Sequence, residues 1–162
     1  MSLQELSLQL PNRPGALVRV ARILAREQIN LAAISVDSTR TRGHVRLVVS
    51  NPAKARRLLE QAGHAVETHD LLAVRLEDRA GSFLKVLDAL AAANVNVVSV
   101  AILVAKEGAQ SLVALSTDDL ARARKVLREG GFAAEGAERL ITNADLIAAA
   151  PAIPAESVGL LL

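Results

Sequence analysis

The chain has no cysteine, no tryptophan and no tyrosine, and only two phenylalanines, Phe83 and Phe132. Without cysteine there is no disulfide framework, no thiolate nucleophile and no sulfur-ligated metal. So few aromatic rings argue against the stacking platforms that hold single-stranded nucleic acid, and they leave the core to Leu, Val, Ile and Ala. No apolar run approaches the roughly 18 residues that a membrane span needs, and no basic, apolar, small-residue signal opens the chain. A cytoplasmic protein with no membrane partner is expected. A dominant charge is lacking too: 19 Lys and Arg oppose 17 Asp and Glu, a net +2. The arginines fall at helical spacing (Arg19, Arg22, Arg26; Arg124, Arg128). A solvated helix face explains that spacing better than a phosphate-binding patch, so no nucleic-acid partner is expected.

Chemistry is equally sparse. There is no phosphate-cradling Gly-x-x-x-x-Gly-Lys, and Ser35, Ser99 and Ser111 have no histidine beside them in the sequence to act as base. The three histidines, His44, His64 and His69, include no pair at i, i+4 and have no cysteine to share a metal with. His64 simply follows a glycine that stops a helix. No catalytic residue, metal or cofactor is therefore expected, and the chain is read as a protein other than an enzyme.

What the sequence does contain is a copy of itself. Asn12-Arg13-Pro14-Gly15-Ala16-Leu17 is answered by Asp78-Arg79-Ala80-Gly81-Ser82-Phe83, the two glycines standing 66 residues apart (81 − 15). Asn30 and Asn96 keep that offset, and Ser35–Ser50 runs parallel to Ala101–Ser116 without a gap. Beyond Asp118-Asp119 the offset is 68, as for Gly63 and Gly131. An internal duplication governs the fold. Two copies in 162 residues make two small units of about 65 residues, each marginal alone. With 51% hydrophobic and 22% charged residues the chain can form a core, so the units should share an interface.

Periodicity gives the order of elements. Leu6, Leu8 and Leu10 alternate with polar residues as a strand, and Leu17, Val20 and Leu24 stripe a helix ending near Glu27. Ile29 to Ser38 and Val45 to Val49 are strands joined by Thr39–Gly43. Asn51-Pro52 opens a helix striped by Ala55, Leu58, Leu59 and Ala62, which Gly63 stops. Val66–Asp70 closes the unit. The second copy repeats this: Leu72, Val74 and Leu76; a helix with Phe83, Val86, Leu87 and Leu90; Val95–Val104 and Ser111–Leu115 around a Lys106-Glu107-Gly108 turn; a helix with Leu120, Ala123 and Leu127; and a closing strand within Phe132–Ile141. The order βαββαβ, twice, predicts an α+β fold of two ferredoxin-like units, antiparallel sheets backed by helices. The expected units are residues 3–70 and 71–141, followed by a tail over 142–162 read as a short helix or disorder. No Pro, Gly or Ser linker separates them at 69–74, which predicts one body with continuous or back-to-back sheets.

A strand, then Asn/Asp-Arg-Pro-Gly-x-Leu/Phe opening a helix, then Asn before the next strand, resembles the ACT domain. The resemblance covers essentially residues 3–140, in two copies. The chain as a whole is similar to small stand-alone tandem-ACT proteins. That resemblance implies regulation of amino-acid metabolism or transcription by a free amino acid bound where domains pair, and a homodimer. A metabolic enzyme as partner is the alternative it offers. Small subunits of branched-chain biosynthetic synthases resemble the chain only in their own first domain, whereas both halves here carry the pattern.

The candidate ligand-binding residues are Asn12, Arg13, Pro14, Gly15, Ala16, Leu17, Asn30 and Asp37 in the first copy and Asp78, Gly81, Ser82 and Asn96 in the second. Gly15 and Gly81 lack a Cβ, so backbone amides at a helix N-terminus can approach a carboxylate. The competing reading is a plain strand-to-helix turn with Asn12 as turn residue or cap. In the second copy Ala80 replaces the proline and the bulkier Phe83 is expected to fill the equivalent pocket as core. Asn30 and Asn96 sit where Asn often supplies the left-handed residue that ends a helix; by resemblance the same segment faces the loop across a domain interface, where an amide could bond an effector. Asp37 could meet an ammonium group, or be a strand-end carboxylate in solvent.

Overall fold

A computed structural model describes residues 3–103 and 110–135. The Lys106-Glu107-Gly108 turn, the later part of the expected closing strand and the tail over 142–162 lie outside the described residues.

The elements are β1 (Leu3–Pro11), α1 (Ala16–Arg26), β2 (Leu31–Ser38), β3 (Arg42–Val49), α2 (Pro52–Gln61), β4 (Val66–Glu77), α3 (Ser82–Ala92), β5 (Val97–Leu103), β6 (Gln110–Thr117), α4 (Leu120–Glu129) and β7 (Ala133–Glu135). The strands form one antiparallel sheet in the order β2-β3-β1-β4-β6-β5, with β7 also on β4. Each half therefore has the ferredoxin-like order, last strand, first, third, second: β4-β1-β3-β2 and β7-β4-β6-β5. The strands expected separately at Val66–Asp70 and from Leu72 are one strand. Val66 to Leu71 of β4 pairs with β1, and Leu72 to Glu77 pairs with β6. The chain passes from one half to the other inside a hydrogen-bonded ladder, which is why no linker residues are needed.

The period of two along a strand decides which face each residue covers. Leu6, Leu8 and Leu10 of β1 and Val45, Leu47 and Val49 of β3 pack under Val20, Leu24, Ala55 and Leu59 of α1 and α2. Leu72, Val74, Leu76, Val113 and Leu115 pack under Val86, Leu90, Ala123 and Leu127 of α3 and α4. The opposite, helix-free face makes a third core that alternation alone did not indicate: Leu3, Val48 and Leu71 from the first half meet Ala73, Leu103, Leu112 and Ala114 from the second. There the edge strands β2 and β5 come into contact. The sheet thus curls about β4 until its helix-free surfaces close on each other.

The helix ends follow local chemistry. Asn51 and Asp119 cap α2 and α4, accepting from the N–H groups of Lys54 and Arg122 at 3.0 and 2.9 Å, and Pro52 takes the first turn of α2 as expected. Gly63 and Gly131 follow these helices with positive φ. The left-handed residues that end α1 and α3 are Gln28 and Asn94 (φ 54° and 55°), not Asn30 and Asn96. Both turns close two residues earlier than expected because N–H groups of Ile29 and Val95 already bond back to Leu24 and Leu90. Two core expectations also change. The buried row of α1 is Ala16, Val20 and Leu24, a strict i, i+4 ladder that leaves Leu17 exposed, and Ala62 is exposed as the residue capping α2. Lys54 ties α2 to the end of α1, bonding the Glu27 carboxylate at 2.9 Å. That hydrogen bond and its attendant charge hold the Glu27 carboxyl below its ordinary value.

Candidate functional site

The two glycine turns are built alike. Gly15 and Gly81 stand at the N-caps of α1 and α3 with φ 82° and 86°, a region that costs a residue with Cβ roughly 1–2 kcal/mol. Neither helix has a side-chain cap, and a Cβ built on either glycine meets nothing within 4 Å. Within the first turn Arg13 N–H donates to Pro11 O at 2.9 Å and Ala16 N–H to Arg13 O at 3.2 Å. Pro14 has no N–H, so Gly15, Leu17 and Val18 supply the remaining backbone amides of the turn and of the first turn of α1. The second turn repeats both bonds, Arg79 to Glu77 and Ser82 to Arg79. An uncapped helix start facing open space offers orphan N–H groups and the positive end of the helix dipole to an anion.

The surroundings differ between copies. Asn12 donates from its side chain to Thr39 O at 2.8 Å, and from its backbone to Thr41 O at 3.0 Å. The first turn is thereby braced against the β2–β3 hairpin. In the second copy Arg79 is ion-paired to Glu77 at 2.8 Å. Phe83 is partly buried against the second helix-side core, as expected, while its counterpart Leu17 is exposed.

Asn30 and Asn96 occupy matched positions before β2 and β5. Asn30 N–H donates to Ser50 Oγ at 3.0 Å and its carbonyl accepts from Ser50 N–H at 2.9 Å. Asn96 is held the same way by Asp118, at 2.9 and 3.1 Å. Each backbone is thus locked to the residue beside the following helix. Asn30 does not meet the Gly15 turn of its own unit. An eleven-residue α1 separates them by about 16 Å at ~1.5 Å per residue. Asp37, near the hairpin end of β2, accepts from Arg46 at 2.6 Å and so already has a cationic partner.

The fold also makes one pair that the sequence reading did not find. Ser7 Oγ and His44 Nε2 lie 2.6 Å apart, brought together by the β1–β3 pairing from 37 residues away. Among the described residues no carboxylate orients this histidine, and Ser7 is buried on the sheet. The pair is a cross-strand contact, with the tautomer deciding which atom donates. Among the described residues no group of three or more His, Asp or Glu gathers as metal ligands, and no helix is long and apolar enough to cross a membrane.

The repeated ferredoxin-like unit with a glycine turn at each first helix defines the class, and comparison with known families agrees. The chain belongs to the ACT domain pair family, whose model matches residues 1–142. ACT-domain proteins are in general regulatory rather than catalytic. Among solved structures it is similar to protein BT0572 from Bacteroides thetaiotaomicron, with 28% identity and a TM-score of 0.77 over 85% of this chain and 94% of that one. The fold is shared with the ligand-free regulatory subunit of aspartate kinase from Thermus thermophilus, at 17% identity and TM-score 0.58 over 79% and 91% of the two chains. The corresponding subunit from Thermus flavus gives 16% and 0.54 over 81% and 94%. No curated protein matches the chain.

Proposed function

We propose that the protein is an effector-binding regulator in which a free amino acid is held by its carboxylate at the Gly15 turn. The observation that carries this reading is the uncapped start of α1, with a left-handed glycine and open space where a side chain would stand. The hydrogen bonds of Asn12 to Thr39 and Thr41 fix that turn before any ligand arrives, which lowers the ordering cost of binding. The Gly81 turn is the weaker candidate, because it lacks the proline and its neighbour Phe83 is drawn into the core.

A homodimer completes the site. Since Asn30 stands at the far end of α1 from its own turn, only a neighbouring unit can present it, or Asn96, to a ligand held there. The edge strands β2 and β5 are suited to receive such a neighbour. Among the described residues each is paired on one side only, to β3 and β6, and Ile34, Val36, Val100 and Ile102 on their helix-side faces are exposed, Ile102 at 71%. The two edges touch each other without a ladder between them, and an edge left unpaired in this way is a template for another chain. Ligand bound between two units stabilises one packing over another, and that differential affinity is the regulatory signal.

The second reading, a metabolic enzyme as the regulated partner, draws on the same exposed rows and on the use of this fold as a regulatory subunit of aspartate kinase in Thermus. Thermal-shift screening of the protein against the twenty amino acids tests the first. One or a few of them should raise the melting temperature in a saturable way; no response to any of them refutes amino-acid binding.

A further inference from the structure

Where the two helix-free faces close on each other, the seam is mostly apolar, and its buried polar residues are Ser7, Ser99, Ser116 and one carboxylate. Glu5 of β1 is 5% exposed and accepts from the hydroxyl of Ser99 on β5, itself 8% exposed, at 3.3 Å. That bond joins the first half to the second. It is long, and it comes from a neutral donor, whereas a carboxylate has room for about four. The basic side chains nearby face other partners. Arg46, two residues along β3 from the register partner Val48, bonds Asp37 and Ser35. His69, opposite Glu5 on β4, lies 3.7 Å from Glu67. Among the described residues Glu5 makes no ion pair. Val48 opposite it on β3 and the next pair along the ladder, Leu3 and Leu71, offer nothing to a charge.

A buried carboxylate with one weak donor loses more hydration than its contacts return. Each half has its own helix-covered core, so the seam is the contact whose loss leaves both halves folded. We propose that Glu5 is a destabilising element set into the seam, keeping the two halves poised to separate about β4. The seam is then a two-state element of the kind that regulatory movements draw on. The inference stands on the seam alone and does not depend on which ligand, if any, the glycine turns hold.

Because the chain has no cysteine, opening can be read from single introduced thiols. Ala114→Cys places a thiol in the seam, and Ala55→Cys places one in the helix-side core of the first half, where only unfolding exposes it. In the full chain without ligand, the Ala114→Cys thiol should react with iodoacetamide faster than the Ala55→Cys thiol. Adding Glu5→Gln, which removes the charge and keeps the shape, should slow the seam thiol by about tenfold or more, leave the core thiol no faster, and raise the melting temperature. A seam thiol that Glu5→Gln leaves unchanged or speeds, or a melting temperature that falls, overturns the proposal.

Discussion

The side-chain amide of Asn12 reaches the carbonyl of Thr39 at 2.8 Å, tying the turn before α1 to the hairpin that follows β2. One side chain thereby couples the two loops at one end of the first half. Asn12→Ala should lower stability by about 1 kcal/mol, the value of one net hydrogen bond. Urea denaturation measures that loss. If the turn is the ligand site, calorimetry should also show weaker binding with a larger entropic penalty, because the ligand must then order the turn.

The glycine turns can be tested by their conformation, since space is not limiting. Gly15→Val meets no neighbour at Cβ, so its cost to folding is the left-handed backbone, roughly 1–2 kcal/mol. Its effect on binding should be larger. The branched side chain enters the space in front of α1, and affinity for the amino acid should fall by at least about tenfold, or 1.4 kcal/mol. Gly81→Val should cost similar stability and less affinity. Calorimetry on the two folded variants decides; binding lost through Gly81→Val and kept through Gly15→Val would reverse the assignment of the turns.

Asn51 and Asp119 cap equivalent helices in the two halves with bonds of 3.0 and 2.9 Å. Asn51→Ala and Asp119→Ala should each remove about 1 kcal/mol. Distant sites without shared partners add, so the double variant should lose the sum within about 0.5 kcal/mol in urea melts.

Leu72 is fully buried at the point where β4 changes partner from β1 to β6. Leu72→Ala should cost about 2–5 kcal/mol. Since β4 belongs to both halves, the wild-type protein should melt in one transition by calorimetry and circular dichroism alike. Two separated transitions, or prompt proteolysis into two stable halves near residue 70, would contradict a shared strand that binds the halves into one folding unit.

Ile102 and Val36 lie exposed on the two edge strands. Ile102→Lys and Val36→Lys should change the stability of the single chain by no more than about 0.5 kcal/mol, as surface substitutions do. They should shift a dimer toward monomer in light scattering. A wild-type protein that is monomeric at micromolar concentration, with and without amino acids, would remove the basis for a site shared between copies.

Much of this architecture is written locally. The duplication, the alternation of Leu6, Leu8 and Leu10, the Asn51-Pro52 start and the Gly63 stop each fix conformation over a few residues; they placed the helices within a residue or two of where they lie, while β1 and β3 begin three residues earlier than expected. The glycine turns were legible for the same reason, because positive φ at a helix start favours the residue without Cβ. What the sequence could not decide depends on register and on contacts far apart along the chain. That Val66 to Glu77 is one strand serving both halves of a single sheet, that the helix-free faces close into a third core with Glu5 and Ser99 inside it, and that Ser7 meets His44 all follow from which strands lie side by side. Periodicity assigns a residue to one of two faces, but tertiary packing alone decides what covers that face.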